Sequence, residues 1–592
     1  MLDIRYFDAL DNSQATNENG LVGYKAATSS NKVFIQNEKS PQIQLEPLVT
    51  QLLADYNISG VILFSENLVN TTQIKKLTGD IQNVALSSSS RQPLLISIDQ
   101  EGGRVARLPR EQWPAFTGNM AIGALANDSE KLSYQVGEAI GQQLQNLGIN
   151  VNHAPTIDVN ANPNNPVINV RSFSDCPKRV AKLGCAMGKG MLAAEIIPTF
   201  KHFPGHGDTN VDSHTGLPRV DHSLDVVNTI DLYPFVEAIK QDCAPMIMTA
   251  HIQYPALDNS TFLARNGEQI IKPATLSYDI LTTLLREKIG YEGVVITDAL
   301  DMASISCYLT PVQAVINTFK AGADIALMPF KVHKPADIVA FSQFFDEIVE
   351  QVINDDELYE QVMTSYHRIK KLKTCLVTSE QNKDLIPQGL FEERQLAHRM
   401  LEKHIAEHSI VSHGEAVIEL SQITQVITVF SAIEQAEALN NALQSCQALN
   451  QTTKYLTMSG NDLSTNDTML NSQDSKHTLL IIGIEEIKSV VDLGGVDDLL
   501  STDNDSVTSD VLLQALVTQK EQGGQSVFVC LKAPYNLAPY IANASMSLTT
   551  FDGSTYQNGE KIWQGAAFDA IAAVIAQQLI PTGQIPIATN TH

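Results

Sequence analysis

Short apolar runs recur along the first half of the chain, at Leu2–Phe7, Gly60–Phe64, Pro93–Ile98, Ile149–Asn152, Ile197–Lys201, Pro245–Ala250, Val294–Thr297 and Ile325–Met328. Between them lie longer segments with apolar positions at helical spacing, among them Glu130–Leu147, Lys178–Ala194, Val226–Lys240 and Ser277–Lys288. An unbroken apolar run has no side suited to water, so each reads as a strand covered on both faces. Such strands alternating with helices predict a parallel sheet. Eight of them predict a (β/α)8 barrel, with an open doubly wound sheet as the alternative. The polar residues that end the strands favour the barrel. Asp99 follows the third run, Asn152-His153 the fourth, Lys201-His202 the fifth, His251 the sixth and Asp298 the seventh. In a barrel these are the carboxyl ends of the strands, where active sites are built. One polar residue after a strand is uninformative, but five in succession are hard to explain as accident.

The pattern changes after the eighth run. Phe341–His404 is helical and charged, which suits the end of a barrel and a connector. Beyond it, Ile423–Phe430, His477–Ile484 and Ser526–Leu531 read as strands and Phe568–Leu579 as an amphipathic helix, which predicts a smaller α/β sandwich. The expected organisation is a barrel over residues 1–375, a helical connector over 376–404 and a second domain over 405–592. Asn461–Ser475 and Asp497–Ser509 are rich in Ser, Thr, Asn and Asp and read as loops, and polar Asp11–Ser40 reads as a surface excursion. Gly494-Gly495 and Gly523-Gly524 lack the spacing of a dinucleotide-binding turn, so no such cofactor is expected.

Composition narrows the function classes. At 592 residues the chain is too long for one ordinary core, and its 43% hydrophobic content is that of a globular protein. No apolar run approaches the roughly 20 residues that span a bilayer. Forty basic residues against 66 acidic ones give a net charge of −26, which disfavours nucleic acid and anionic membranes and suits a small neutral substrate. The seven cysteines are scattered, odd in number and without metal spacing. Met1 is followed at once by strand-like Leu2–Phe7 and not by a signal-peptide pattern. Localisation is left open, with the cytoplasm ahead of a periplasmic or lipid-anchored location. The oligomeric state is unknown at this level.

The segment Lys201–Pro218, KHFPGHGDTNVDSHTGLP, concentrates the candidate chemistry. It holds His202, His206 and His214 with Asp208 and Asp212, broken by Gly205, Gly207 and Gly216. Asp212 stands two residues before His214. If the loop turns back on itself, the carboxylate orients one ring nitrogen and leaves the other to move a proton. Zinc ligation and backbone-satisfying histidines are the alternatives, and composition alone weighs the three about equally. The spacing is not that of a helical zinc motif, and no CxxC supports a metal.

Four motifs in order resemble those of the family 3 glycoside hydrolases, within their bacterial β-N-acetylglucosaminidase branch of two-domain type. They are Asp99–Leu108 (DQEGGRVARL), Asn169–Phe173 (NVRSF), Lys201–Pro218, and Gly293–Met302 (GVVITDALDM), with weaker matches at Leu531–Tyr535 and Pro581–Gly583. The resemblance implies an exo-acting, retaining enzyme that hydrolyses terminal non-reducing N-acetyl-β-D-glucosamine from chitin-derived or cell-wall-derived oligosaccharides. It implies Asp298 as the nucleophile, His214 as the general acid/base and Asp212 as its orienting partner. Asp99, Arg107, Arg171, Lys201 and His202 match sugar-contacting positions, and no cofactor or metal is implied. The chemistry agrees, because a retaining glycosidase needs a nucleophile and a proton donor on opposite faces of the sugar, roughly 5 Å apart. The alternatives are a β-N-acetylglucosaminide phosphorylase, a β-glucosidase or an inactive sugar-binding barrel. Asp301 is expected to cap the helix after Asp298, His206 and Asp208 to shape their loop, and Gly102-Gly103 to permit a tight turn. Arg104 is the more structural of the two nearby arginines. His153, His251, Asn152 and Asp158 are either pocket-lining residues or satisfied buried groups.

Overall fold

The eight apolar runs form one parallel sheet. In the computed structural model, which describes residues 1–8, 40–210, 212, 216–380, 388–414, 417–459, 475–485 and 509–589, its strands are β1 (Leu2–Asp3), β2 (Gly60–Leu63), β3 (Leu95–Ile98), β4 (Val151–Asn152), β5 (Ile197–Phe203), β6 (Met246–Thr249), β9 (Val294–Ala299) and β10 (Ile325–Leu327). A hairpin of β7 (Thr261–Leu263) and β8 (Gln269–Ile271) intervenes after β6. The sheet runs in chain order from β1 to β10. Met1 N donates to Ala326 O at 2.8 Å and Met328 N to Met1 O at 2.9 Å, which brings the two edges together in a nearly closed barrel. The expected excursion at 11–40 and the two expected loops of the second domain lie outside the described residues, apart from their terminal serines.

Strand alternation then decides what reaches the rim. Leu95, Val151, Ile197, Met246, Val294 and Ile296 belong to one cluster inside the barrel. Their neighbours Ile96, Ile98, Phe200, Ile247 and Val295 pack outward into the larger cluster beneath the helices. Residues two apart share a face. The interior rows therefore continue from Leu95 through Ser97 to Asp99, from Val151 to His153, from Ile197 through Thr199 to Lys201, and from Val294 through Ile296 to Asp298. Burial of each aliphatic side chain contributes about 1.5–3 kcal/mol, and these rows set the register in which the polar residues arrive at one end.

Two segments differ from their sequence pattern. Val226–Lys240 is not one helix: Leu224–Val226 passes into a wide turn, where Leu232 N donates to Val227 O at 2.9 Å, before Tyr233–Lys240 resumes. Pro234 accounts for the break, since it lacks the N–H that a continuous helix needs. The β7–β8 hairpin carried no apolar signal because its strands are three residues long and leave much of their surface exposed.

The second sheet runs β11 (Val411–Ser412), β16 (Met546–Thr549), β15 (Gln525–Cys530), β14 (Thr478–Ile484), β12 (Gln425–Phe430) and β13 (Lys454–Ser459), parallel except at β11. Leu479, Ile481, Val527 and Val529 pack on one face with Phe568 and Ile571 of the helix Ala566–Ile575. Leu480, Ile482 and Phe528 pack on the other with Leu516 of Ser509–Glu521. This is the expected α/β sandwich, with β11, β13 and β16 in addition to the three strands expected from the sequence. The helix Gln388–Ser409 ties it to the barrel, because Glu402 Oε1 accepts from Ala115 N at 3.1 Å and Phe116 N at 2.9 Å.

Candidate active site

The rim is organised by a buried charge network. Lys201 Nζ lies 2.8 Å from Asp99 Oδ1 and 2.7 Å from Glu101 Oε1. Arg171 grips the same Glu101 with two bonds, Nε to Oε2 at 3.0 Å and Nη2 to Oε1 at 2.7 Å, and its Nη1 donates to Val167 O at 3.2 Å. Thr156 Oγ1 donates to Glu101 Oε2 at 3.1 Å. Burial pushes the Glu101 carboxyl up, but Arg171 and then Lys201 outweigh it and hold the group far below the ordinary carboxylate range. Burial likewise pushes Asp99 up, and Lys201, His153 and Arg107 bring it below its ordinary value. Burial lowers Lys201, while Asp99 and Glu101 raise it above that of a free lysine. All three groups are therefore ionised at neutral pH. Glu101, which carries no signal of its own in the sequence, is the hub that joins Arg171 to Lys201.

The loop between β3 and residue 118 places Arg107. Asn152 Oδ1 accepts from Gln100 N and its Nδ2 donates to Gln100 O, both at 2.9 Å, while Gln100 Oε1 accepts from Arg107 N at 2.8 Å and Leu108 N at 3.1 Å. A Cβ on Gly103, whose φ is +56°, would stand 2.9 Å from Gly118 Cα, so the turn requires glycine there.

Asp158 anchors the start of the histidine-rich segment. Its Oδ2 lies 2.7 Å from His202 Nδ1, and its Oδ1 accepts from the backbone N of His202 at 3.1 Å and of His206 at 2.8 Å. Burial pushes this carboxyl up and the His202 ring more than reverses it, so Asp158 is ionised and accepts a hydrogen bond from His202 Nδ1–H, leaving Nε2 as the nitrogen turned away from the carboxylate. His206 Nδ1 meets Thr209 Oγ1 at 2.8 Å. Gly207 is required where it stands, because a Cβ would fall 1.6 Å from Val159 O. Asp208 pairs with His222 Nε2 at 3.0 Å, and Asp231 with His222 Nδ1 at 2.8 Å. His222 and Asp231 carried no signal in sequence, since they meet Asp208 only across the folded loop. Asp212 is half-buried, and its backbone O accepts from Gly216 N at 3.0 Å. His214 lies outside the described residues.

Asp298, the penultimate residue of β9, is half-buried, with Oδ1 accepting from Ala299 N at 2.8 Å. His251 Nε2 donates to Ala299 O at 3.0 Å, which fixes the backbone beside the carboxylate. Asp301 does not cap the following helix Ala303–Ser306. It turns instead to Lys331 Nζ at 3.3 Å, and that helix has no side-chain cap. His153 is fully buried, and neither ring nitrogen has a hydrogen-bond partner among the described residues. Burial lowers its pKa to about 4 despite the opposing pull of Asp99, so it is a neutral imidazole at the rim. Among the described residues no group of three or more His, Cys, Asp or Glu could hold a metal, and no helix is long and apolar enough to cross a membrane.

Burial also lowers His206 to about 4. Both values lie below the roughly 6.5 of an unfolded histidine, so the stability tied to these rings is complete above pH 6.5 and is lost as pH falls toward 4. Each ring contributes on the order of 3 kcal/mol across that window, or about 1.4 kcal/mol per pH unit. Denaturant unfolding of the protein and of His153→Asn at several pH values checks this: the stability difference between them should change between pH 6.5 and 4 and stay level above it. A difference that is level throughout would mean that His153 titrates alike in both states.

Three comparisons bear on this barrel and rim. Residues 35–372 match the glycosyl hydrolase family 3 N terminal domain. The chain is 43% identical over 555 residues to beta-hexosaminidase A of Pseudoalteromonas piscicida, covering 92% of each. It is 31% identical over 280 residues to a beta-hexosaminidase of Idiomarina loihiensis, covering 47% of this chain and 78% of that one. In structure it superposes with a TM-score of 0.73 on a family 3 beta-N-acetylglucosaminidase from Paenibacillus sp. str. FPU-7, at 26% identity over 92% of this chain and 96% of that one. The family match and the likeness to beta-hexosaminidases, on a nearly closed barrel, identify a glycosidase that acts on O-glycosyl bonds of a carbohydrate substrate. The chain belongs to glycosyl hydrolase family 3.

Proposed function

We propose that the protein is an exo-acting, retaining β-N-acetylglucosaminidase, and that the Asp298 carboxylate attacks the anomeric carbon. The observation that carries this is the shared interior row: Asp298 arrives at the same barrel rim as the ionised Lys201–Asp99 pair and the neutral His153 ring. The likeness to a beta-hexosaminidase and to a beta-N-acetylglucosaminidase over nine-tenths of the chain supports N-acetylglucosamine as the sugar. Asp99 accepts from a sugar hydroxyl, and Lys201, Arg107 and His202 Nε2 complete the ring contacts. Arg171 spends three N–H donors on Glu101 and Val167, and its remaining donors meet a hydroxyl or acetamido oxygen. Attack forms a glycosyl-Asp298 ester as His214 protonates the departing oxygen. His214 then takes a proton from the incoming water, and Asp212 steadies the imidazolium in both steps.

Product analysis on aryl N-acetyl-β-glucosaminide and aryl β-glucoside, with and without phosphate, tests the reading. Free N-acetylglucosamine from the first substrate alone, in either buffer, is expected. A sugar 1-phosphate would make the enzyme a phosphorylase, and preferred cleavage of the glucoside would make it a β-glucosidase. His214→Ala should lose about 10²–10⁴-fold on alkyl or sugar leaving groups and much less on nitrophenolate, which departs without a proton. Equal losses on all leaving groups would remove His214 from the acid role.

A further inference from the structure

The barrel also has a cavity at the end opposite the ionised rim. It measures about 260 Å3 and lies beyond the amino ends of β2, β3 and β10, where Ser59, Leu94 and Asp324 each stand one residue before their strand. The long helix Asp356–Glu380 closes one side, with Ile369 on the cavity wall and also packed against the cluster inside the barrel. Leu53 and Phe319, from two of the outer helices, make the rest of the wall largely apolar. Asn57, Ser90 and Lys370 are exposed and mark its mouth.

The charges around this cavity do not balance. Lys373 lines it and is 7% exposed, yet takes part in no hydrogen bond or ion pair among the described residues. Lysine is almost never buried this deeply without a partner. The one acid in the described wall is Asp324, and both of its oxygens are committed elsewhere. Oδ1 accepts from Ser365 Oγ at 2.8 Å and Arg368 Nη1 at 3.0 Å, and Oδ2 from Arg286 Nη2 at 2.6 Å and Val295 N at 2.7 Å. Two guanidiniums thus more than balance Asp324, and Lys373 gains no counter-charge from it. Burial brings the Lys373 ammonium down to about 8, so it still carries its proton at neutral pH. Lys370 adds a second positive charge at the mouth.

A cavity with one buried, unmatched cation and apolar walls selects a small monoanion with an apolar part. A carboxylate brings the single negative charge that one ammonium offsets, and the walls then shelter a hydrocarbon tail from water. A phosphate dianion would bring more charge than Lys373 matches and no apolar surface. The volume falls below the roughly 300 Å3 at which pockets for drug-sized ligands begin, which suits a ligand of few atoms. Barrel enzymes carry their chemistry at the carboxyl ends of the strands, so a ligand at this end is not the sugar substrate.

We propose that this cavity binds a monocarboxylate with a short hydrocarbon tail, whose carboxylate pairs with Lys373 Nζ.

Isothermal titration calorimetry of the intact chain with hexanoate, hexan-1-ol and inorganic phosphate tests it. Hexanoate is expected to bind one to one, and hexan-1-ol at least tenfold more weakly, because it keeps the tail and lacks the charge. Lys373→Met puts a neutral side chain in place of the ammonium. It should weaken hexanoate tenfold or more and leave kcat/KM on the aryl N-acetyl-β-glucosaminide within twofold of the parent. Val362→Phe enlarges another residue of the same wall without altering charge, so it too should weaken hexanoate. That variant keeps the test decisive if Lys373→Met fails to fold. No binding of hexanoate, equal binding of hexan-1-ol, or tighter binding of phosphate overturns the site. Hexanoate binding that survives either folded variant overturns it as well.

Discussion

Asp298→Asn is expected to lower kcat by about 10⁴-fold or more while the unfolding midpoint stays close to that of the parent. The amide keeps the shape of the side chain and its place at the end of β9, but it cannot form the glycosyl ester. Its backbone anchor survives, because the Oδ1 bond from Ala299 N needs only an acceptor. Asp301 cannot take over, since it lies beyond the strand and is turned toward Lys331. Incubation with a fluorinated N-acetylglucosamine analogue, followed by peptide mass spectrometry, checks the same assignment from the other side. A label on any residue but Asp298 would sink it, as would near-parental hydrolysis by the folded variant.

Glu101→Gln should be costly for a different reason. The carboxylate is 3% exposed and is the shared counter-charge of Arg171 and Lys201, which are 5% and 2% exposed. Neutralising it removes the charge both cations contact directly, leaving Lys201 paired with Asp99 and Arg171 with only the more distant fields of Asp158 and Asp99. Breaking a buried pair from one side costs about 3–5 kcal/mol, far more than a surface pair is worth. A fall of that size in denaturant stability is expected, together with a rise in KM as Lys201 loses its position. Unchanged stability would show that the network orients its members without holding the fold. Asp298→Asn and Glu101→Gln thus separate chemistry from scaffolding: the first removes turnover from an intact barrel, and the second loosens the barrel rim itself.

The apolar runs by themselves determined the parallel sheet, because a strand buried on both faces must be continuous in apolar character, and that is a local property of the sequence. The polar strand ends favoured a barrel, and its closure shows in the bonds of Met1 to Ala326 and Met328. The same periodicity brought Asp99, His153, Lys201 and Asp298 to one end, since residues two apart on a strand share a face. Short or exposed strands such as β7, β8 and β11 gave no comparable signal. Pro234 divided a helix whose apolar spacing read as continuous. What only the tertiary structure decided are the contacts between segments far apart in the chain. Glu101 was one letter of a motif until Arg171, from a short helical turn, and Lys201, from β5, were found on it. Asp158 was ambiguous until His202 and His206 closed over it, and His222 had no role before it met Asp208 and Asp231. Periodicity reports which face of an element is buried, whereas the partner of a buried charge is set by how distant elements pack.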